Sequence, residues 1–267
     1  MNKSDLSTKN EITWCPGCQN FLILAAAKKA ISRIIQSGIK QEEIVMVTGI
    51  GCHAKIFDYL NLSGVYGLHG RALPVALGIK LANPKMKVVV FSGDGDSYAE
   101  GMEHFVHACR YNADITLIVH DNRAFSLTTG QATPTSQKGY KTKSEPFGSA
   151  NEPINPIKIA LTAGATFVAR CNAQDVEHTS EIIEKAINHK GFSFIEIMQN
   201  CVTFNSNVSL SSKTYKIEDN QNNFEKAESF ANEWNYSIPA VKIPIGIFYQ
   251  GIRKTLEENI SHFSKLK

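Results

Sequence analysis

The chain has 267 residues, 28 Lys and Arg against 25 Asp and Glu, a net charge of +3, and 43% hydrophobic residues. These values are ordinary for a soluble globular protein and exclude a wholly disordered, collagen-like or coiled-coil chain. The positive charge is small and scattered, so it does not indicate a nucleic-acid-binding surface.

The N-terminal stretch MNKSDLSTKNEITWCPGC lacks the basic region and apolar run of a signal peptide, and the apolar run FLILAAA is too short to span a membrane. We therefore expect a cytoplasmic protein with no membrane partner. In a reducing compartment, its six cysteines favour metal or redox chemistry over disulfides.

Apolar, strand-like runs alternate with helical patterns along the chain. The first helix is predicted over FLILAAAKKAI, before the first strand. The predicted strands are 44–50, 87–93, 114–122, 165–170 and 192–198, and the predicted helices between them are 71–82, 97–112 and 174–189. Continuous apolar strands separated by helices are typical of a parallel sheet covered on both faces. We therefore predict an α/β fold, a doubly wound parallel sheet, over residues 11–204.

Residues 205–267 are predicted to form a small C-terminal extension. Its first part, NSNVSLSSKTYKIEDNQNN from Asn205 to Asn223, is polar and is predicted to be a linker or mobile loop. A short helix, the strand IPIGIFY and a final helix, TLEENISHF, are predicted to follow.

Polar residues stand where two predicted strands end. Asp94 and Asn122 each follow an apolar run, and ligands of such sheets bind beyond the carboxyl ends of the strands. A carboxylate, an amide oxygen and a nearby backbone carbonyl are the hard ligands that Mg²⁺ takes when it also holds a diphosphate. Gly93 and Gly95 would let the backbone approach the phosphates, and a helix starting near Ser97 would direct its N–H groups at them. The segment therefore predicts a diphosphate site, with a functionless Gly/Asp turn as the alternative.

Four cysteines lie in loops or at the ends of elements. Cys15 and Cys18 stand in WCPGC, Cys52 follows a strand end, and Cys201 follows the strand FIEIM. Four such thiolates could converge on a [4Fe–4S] cluster, which often takes two ligands from a C-x-x-C turn. A structural zinc site would use the same residues, and a thiol–disulfide motif is a further alternative. Cys109 completes an apolar helical face, so we interpret it as a core residue.

The order of these motifs resembles the β subunit of 2-oxoacid:ferredoxin oxidoreductases, the 2-oxoglutarate type in particular. The resemblance is carried, within residues 11–205, by WCPGC, GIGCH, GLHGRALPVALGIKLANP, GDGDSYAEG, DNRAFSLTTGQATPT, GATFVAR and QNCVTFN. The GDG and Asn part is by itself similar to the signature of thiamine-diphosphate enzymes. The resemblance implies a thiamine-diphosphate-binding fold that holds thiamine diphosphate, Mg²⁺ and a [4Fe–4S] cluster. It also implies an α subunit, ferredoxin, a 2-oxoacid and coenzyme A as partners.

The resemblance also implies roles for individual residues. The implied cluster ligands are Cys15, Cys18, Cys52 and Cys201, and the implied Mg²⁺ ligands are Asp94, Asn122 and the backbone carbonyl of Ala124. The residues implied to line the cofactor are Ile50, Gly51, Cys52, His53, His69, Gly70, Arg71, Gly93, Asp94, Gly95, Asp96, Asn122, Phe125 and Leu127. Lys55, Thr128 and Thr129 fall where the family contacts the substrate or coenzyme A. His53 and Ala54 stand where the family usually has two serines, which changes the expected shape of the substrate pocket.

The implied reaction is the oxidative decarboxylation of a 2-oxoacid, with 2-oxoglutarate as the expected substrate, to acyl-CoA, CO₂ and reduced ferredoxin. In related enzymes a second α/β domain activates the cofactor's aminopyrimidine ring, and residues 205–267 are too few to build one. We therefore expect the α subunit to supply it. Two alternatives are a non-redox thiamine-dependent lyase or synthase with a structural four-cysteine metal site, and a non-catalytic subunit that retains the fold.

Overall fold

The computed structural model describes residues 6–206, 210–218, 220, 222–236 and 242–260. The helices are α1 Asn20–Gln36, α2 Ile56–Tyr59, α3 Ala72–Ala82, α4 Met102–Tyr111, α5 Pro156–Thr162, α6 Val176–Asn188, α7 Phe224–Asn232 and α8 Leu256–Asn259. The strands are β1 Ile44–Thr48, β2 Ser63–Tyr66, β3 Lys87–Gly93, β4 Ile115–Asp121, β5 Phe167–Asn172, β6 Ser193–Met198, β7 Thr214–Lys216 and β8 Ile243–Gln250.

The eight strands form one sheet in the order β2-β1-β3-β4-β6-β5-β8-β7. Neighbouring strands are parallel except β5 and β8, which are antiparallel. The predicted doubly wound α/β fold is confirmed, with one antiparallel pairing that the apolar pattern could not reveal, because periodicity carries no information on strand direction.

Helices cover both faces of the sheet. One core contains Ile23 and Ile31 of α1 and Ile183 of α6, packed with Val89 of β3 and Ile195 of β6. The opposite core contains residues of α3, α4, α5 and α7 packed against other residues of the same strands. Complete burial of such aliphatic side chains contributes about 1.5–3 kcal/mol each, which explains why the central strands are apolar throughout. Among the described residues, no helix is both long and apolar enough to cross a membrane.

Three short elements of the main domain were not predicted: α2, β2 and α5. Helix α2 is a single turn of four residues. All four residues of β2 are exposed, so this edge strand lacks the apolar run from which a buried strand is predicted. Helix α5 begins with Pro156 after Asn155, whose side chain accepts a hydrogen bond from the backbone N–H of Lys158.

The prediction of a polar linker or mobile loop over residues 205–223 was wrong for β7. Thr214, Tyr215 and Lys216 pair with β8, and the nearby Leu210 packs with Trp234 and Ile243 in a small separate core. The strand forms because β8 offers it an edge, not because its own residues are apolar. The predicted short helix is α7, and the predicted strand IPIGIFY is β8.

Two predicted helices differ in the structure. The single helix expected over 97–112 is a π-helical turn, Asp96–Glu100, followed by α4, and such turns often occur at functional sites. Of the predicted final helix TLEENISHF, the structure has α8, and the stretch from residue 261 lies outside the described residues.

Candidate functional site

A cleft of about 450 Å³, counted out to open solvent, lies at the carboxyl ends of β1, β3 and β4. The strand order reverses between β1 and β3, and ligands of open α/β sheets bind at such a switch point. All the residues predicted to line the cofactor lie in the walls of this cleft except Gly70 and Arg71. Ala124, predicted as a Mg²⁺ ligand, and Thr128, predicted as a substrate contact, also line the cleft. His120, Ser126 and Gln199 also line the cleft and were not predicted.

Asp94 is a buried carboxylate directly after β3. Its Oδ2 accepts a hydrogen bond from Thr133 Oγ1 (2.6 Å) and lies 3.2 Å from Thr135 Oγ1. Burial raises the pKa of Asp94 to about 6 although the two threonines act in the opposite direction. Thr135 Oγ1 lies 2.9 Å from Asp121 Oδ1, and burial, followed by the charge of Asp94, raises the pKa of Asp121 well above its ordinary value. The site therefore brings together two carboxyl groups whose ionised forms a bound cation would stabilise.

The loop after β4 turns sharply around two side chains. The backbone N–H of Arg123 donates to Asp121 Oδ1 (3.0 Å), and that of Ala124 donates to Asn122 Oδ1 (3.0 Å). Arg123 has a φ of 60°, in the left-handed region that non-glycine residues seldom adopt. Asn205 Nδ2 donates to the Asn122 carbonyl (3.1 Å). These contacts hold Asn122 and Ala124 at the cleft beside Asp94.

Asp96 organises the opposite wall. Its carboxylate accepts hydrogen bonds from the backbone N–H of Gly70 (2.5 Å) and from Ser92 Oγ (2.7 Å), and lies 3.3 Å from His53 Nε2. Burial raises its pKa, but the contacts with His53, Gly70 and Ser92 outweigh burial and hold the pKa below its ordinary value. His69 Nδ1 lies 3.7 Å from the same carboxylate. Asp96 therefore stays ionised and contacts His53, whereas His69 Nδ1 lies nearer to Glu100 Oε2 (3.2 Å).

Close approach explains Gly93, the last residue of β3, and Gly95, which follows it. A Cβ on Gly93 would lie 2.6 Å from His53 Nδ1, and a Cβ on Gly95 would collide with the ring of Phe125. These positions admit only glycine unless the cleft walls move.

Gly70 and Arg71 lie outside the cleft wall. Gly70 is buried and contacts Asp96, as described, while the exposed Arg71 donates from Nη1 to the carbonyls of Gly70 (3.1 Å) and Glu100 (2.8 Å). Of the HGR segment, His69 alone reaches the cleft.

All four cysteines singled out in the sequence line a second cavity, of about 630 Å³ counted out to open solvent. Cys15 is exposed, Cys18, Cys52 and Cys201 are partly buried, and Cys109 and Cys171 are buried elsewhere. The WCPGC turn is anchored by Trp14, whose Nε1 donates to the carbonyl of Cys52 (2.7 Å).

The four thiols are close enough to affect one another's ionisation. Burial, then the neighbouring Cys18 and Cys201, raise the pKa of Cys52 to about 11, against the effect of Lys55. Burial also raises the pKa of Cys18, with a contribution from Cys15 and Cys201. A positively charged metal centre would favour the thiolates in this cavity.

Within the described ranges, no three His, Cys, Asp or Glu residues are grouped so that they could hold a metal ion. The predicted Mg²⁺ ligands include only one such residue, Asp94, because the others are amide and carbonyl oxygens. The metal ligand assignments therefore stay predictions.

The three predicted substrate contacts are dispersed. Lys55 lines the cysteine cavity and donates from Nζ to Thr13 Oγ1 (3.0 Å). Thr128 lines the cleft at the ends of β1, β3 and β4, called the cofactor cleft below, and donates to Gln131 Oε1 (2.5 Å). Thr129 is exposed, has a φ of 81° and lines neither cavity.

The two cavities share part of their walls. Cys52, Asn122, Ser126, Leu127 and Gln199 line both. The sharing arises because β1, β4 and β6 end at the same edge of the sheet, so the loops that follow them meet there.

Comparisons with known proteins agree with this geometry. Residues 49–197 match the family described as thiamine pyrophosphate enzyme, C-terminal TPP binding domain, and residues 201–265 match the C-terminal family of the pyruvate ferredoxin oxidoreductase beta subunit. The 2-oxoacid:ferredoxin oxidoreductase subunit beta of Saccharolobus solfataricus is 44% identical over 270 residues, covering 94% of this chain and 86% of that protein. The 2-oxoglutarate synthase subunit KorB of Archaeoglobus fulgidus is 44% identical over 190 residues, covering 71% and 70%.

A solved structure is similar over the whole chain. The 2-oxoglutarate:ferredoxin oxidoreductase from Magnetococcus marinus, with 2-oxoglutarate, coenzyme A and succinyl-CoA bound, superposes with a TM-score of 0.91 at 31% identity and covers 100% of this chain and 90% of that one. With a thiamine-diphosphate-binding domain whose cleft adjoins a four-cysteine cavity, this chain belongs to the family of 2-oxoacid:ferredoxin oxidoreductase beta subunits.

Proposed function

We propose that this chain, with a separate α subunit, converts 2-oxoglutarate and coenzyme A into succinyl-CoA and CO₂ while two electrons reduce two ferredoxins and one proton is released. The observation that carries the proposal is the shared wall between the cofactor cleft and the cysteine cavity. A site that decarboxylates and a site that removes electrons would then be neighbours. The choice of 2-oxoglutarate is supported by the relatives named as acting on it.

The cleft suits thiamine diphosphate and Mg²⁺. Asp94, Asn122 and the carbonyl of Ala124 supply hard oxygen ligands, and Asp94 is buried with a raised pKa, which a cation would relieve. Gly93 and Gly95 let the side chains of His53 and Phe125 pack directly against the backbone at the end of β3, where a Cβ would collide with them. Bound there, the cofactor would supply the ylid chemistry needed for decarboxylation, while Asp96 contacts His53 at the opposite wall.

The second cavity suits a [4Fe–4S] cluster ligated by Cys15, Cys18, Cys52 and Cys201. Thiolates are the ligands such clusters use, and all four cysteines line one cavity. The cluster would carry electrons singly to ferredoxin. Lys55, in the wall of the same cavity, and Thr128, in the cleft, are proposed to contact the substrate or coenzyme A, together with Thr129 from the same loop.

The division of the chain and its location are proposals as well. Residues 11–204 are proposed to carry both cofactor sites, and residues 205–267 to form an extension that adds β7 and β8 to the sheet. An α subunit would cover the open side of the cleft, as the naming of relatives as beta subunits suggests. A cytoplasmic location is supported by six cysteines that are all free.

The decisive experiment is anaerobic purification with the α subunit, followed by iron and sulfide analysis and electron paramagnetic resonance. We expect about four irons per chain and a reduced-cluster signal after 2-oxoglutarate and coenzyme A are added together, with succinyl-CoA detected by mass spectrometry. Zinc in place of iron would refute the redox reaction. A signal elicited by another 2-oxoacid but not by 2-oxoglutarate would refute the substrate alone.

A further inference from the structure

Two polar side chains, those of His120 and Gln199, line the cofactor cleft at the point where a buried core ends. They are 1% and 4% exposed. Ile118 of β4 and Ile197 of β6 belong to the core beneath α1 and α6, and His120 and Gln199 follow them two residues later. Since side chains two residues apart on a strand share a face, these polar residues extend two apolar rows into the cleft.

The contact with Asn20 selects one tautomer of His120. His120 Nδ1 lies 2.9 Å from Oδ1 of Asn20, the first residue of α1. An amide oxygen only accepts hydrogen bonds, so Nδ1 carries the ring proton. Burial disfavours the charged ring, and in the neutral ring Nε2 then holds a lone pair. His120 therefore presents an acceptor to the cleft.

His120 Nε2 and Gln199 Oε1 are buried, and neither atom has a hydrogen-bond partner within the part of the chain that the structure describes. The neighbouring His53, whose ring centre lies 6.0 Å from that of His120, has its Nε2 3.3 Å from Asp96 instead. An unpaired buried polar atom is costly, and native structures usually satisfy such atoms with a ligand or an ordered water. Two acceptors in the wall of one cleft require a donor.

The beginning of α1 holds both acceptors in place. Gln19 Oε1 accepts a hydrogen bond from the backbone N–H of Asn200 (2.9 Å), the residue after Gln199, while Asn20 contacts His120. The two α1 contacts therefore fix the ends of β4 and β6 from one side. Groups that are fixed before a ligand arrives lose little freedom when it binds, so this arrangement suits recognition of a donor.

The molecules of the proposed reaction differ in the donors that they carry. At neutral pH 2-oxoglutarate has two carboxylates and a carbonyl, and these groups only accept hydrogen bonds. Thiamine diphosphate has an amino group on its pyrimidine ring, and coenzyme A has amide N–H groups and a thiol. Two acceptors can therefore bind the cofactor or coenzyme A, but not 2-oxoglutarate.

We propose that His120 Nε2 and Gln199 Oε1 form an acceptor pair that binds a donor group of the cofactor or of coenzyme A in the cleft and does not bind 2-oxoglutarate. This inference rests on the proposed function. Asn20 is a positioning residue, because it acts only through the tautomer of His120.

The test uses the anaerobic complex with the α subunit. Gln199→Leu removes one acceptor, and His120→Asn removes the other while its amide keeps a donor near the position of Nδ1. His120→Gln is the conservative variant, since its amide oxygen can reach the position of Nε2.

Two matched controls lie outside both cavities. Gln137→Leu is the first, because Gln137 Oε1 is also buried without a partner among the described residues. His189→Asn is the second, because His189 is a buried histidine that contacts Thr166. Neither control should change the binding of any ligand.

Calorimetric titration gives the dissociation constants of thiamine diphosphate, with Mg²⁺ present, and of coenzyme A. Steady-state kinetics at saturating cofactor and coenzyme A gives the KM for 2-oxoglutarate. Gln199→Leu and His120→Asn should each raise the same one of the two dissociation constants about tenfold, and that constant identifies the donor. Asn20→Leu should raise it too, His120→Gln should lie nearer the wild type, and the KM for 2-oxoglutarate should not change.

The acceptor pair is refuted if neither dissociation constant changes in Gln199→Leu and His120→Asn, the result expected if an ordered water alone satisfies the two atoms. It is also refuted if only the KM for 2-oxoglutarate rises. Should His120→Asn fail to fold, as judged by circular dichroism, Gln199→Leu still decides. A wild-type complex that lacks iron or makes no succinyl-CoA contradicts the proposed function instead, and its dissociation constants can still be measured, so the two failures are distinguishable.

Discussion

Removing the hydroxyl group of Tyr236 tests whether the C-terminal extension supports the site. Tyr236 lies beyond α7, yet its side chain is fully buried together with Arg170 of β5 and Glu196 of β6. Arg170 Nε donates to Glu196 Oε2 (2.7 Å) and Nη2 donates to the hydroxyl of Tyr236 (2.8 Å). That hydroxyl in turn donates to Glu196 (2.6 Å), and Glu196 contacts Asp121 at the end of β4.

The magnitude follows from the two hydrogen bonds that Tyr236→Phe deletes. Each joins the hydroxyl to a charged group, and such bonds contribute about 1.5–3 kcal/mol each. Phenylalanine fills nearly the same volume, so no large cavity adds to the loss. We expect the free energy of unfolding to fall by about 3–6 kcal/mol.

The assay is urea-induced unfolding of the full chain, followed by circular dichroism. Tyr215→Phe is the matched control, because its hydroxyl donates to Glu233 (2.6 Å) in an exposed position, where the loss should stay below about 1 kcal/mol. Equal stability of the two variants would show that the buried network does not support the sheet. Residues beyond 205 would then contribute little to the stability of the sheet, as expected for a linker.

Three further predictions concern the site. Asp94→Asn should abolish Mg²⁺-dependent binding of thiamine diphosphate, measured by calorimetry. The same variant should stabilise the ligand-free chain, because burial raises the pKa of Asp94 from 3.8 to about 6. Ionised Asp94 therefore lowers the free energy of unfolding of the wild type by nothing below pH 3.8 and by its full amount, about 3 kcal/mol, above pH 6. A variant less stable at pH 7.5 than the wild type would contradict this. Cys52→Ala should reduce the iron content of the purified complex, whereas Cys109→Ala, in the core, should not, and equal iron in both would exclude Cys52 as a ligand. Thr135→Val removes the hydroxyl between Asp94 and Asp121 and should weaken cofactor binding about tenfold, which unchanged calorimetric titrations would disprove.

The central strands could be predicted because they are buried on both faces and therefore read as uninterrupted apolar runs. Strand β2 could not, since its residues are all exposed. Strand β7 depends on the edge of β8, a long-range contact that local pattern does not record. The π-helical turn after β3 was missed for a similar reason: the contacts of Asp96 with Gly70 and Ser92 come from other elements.

Asp94 and Asn122 could be predicted because they follow strands directly, whereas most of the other cleft residues were implied only by the resemblance to a known family. Thr133 and Thr135 could not, because only folding brings their loop to Asp94. His120 did carry a signal, since a histidine inside the apolar run ITLIVHD is a polar residue on a strand predicted to be buried. Asn20, at the start of an apolar helix just after the C-x-x-C turn, carried the same kind of signal.

The end of β4 concentrates buried charge in a way that relates stability to function. Asp94, Asp121 and Glu196 are buried carboxyl groups near one another, and Arg123 and Arg170 are the buried guanidinium groups that face them. With three carboxyl groups and two guanidinium groups, the cluster would have a net charge of −1 if every group were ionised. That charge can be removed by protonation of Asp121, whose pKa is raised, or balanced by a cation at Asp94. A divalent cation bound at Asp94, as proposed, would lower the energy of the ionised forms of both Asp94 and Asp121. The arrangement that destabilises the ligand-free chain would then be the one that strengthens cation binding. Substitutions that neutralise this cluster should therefore exchange function for stability.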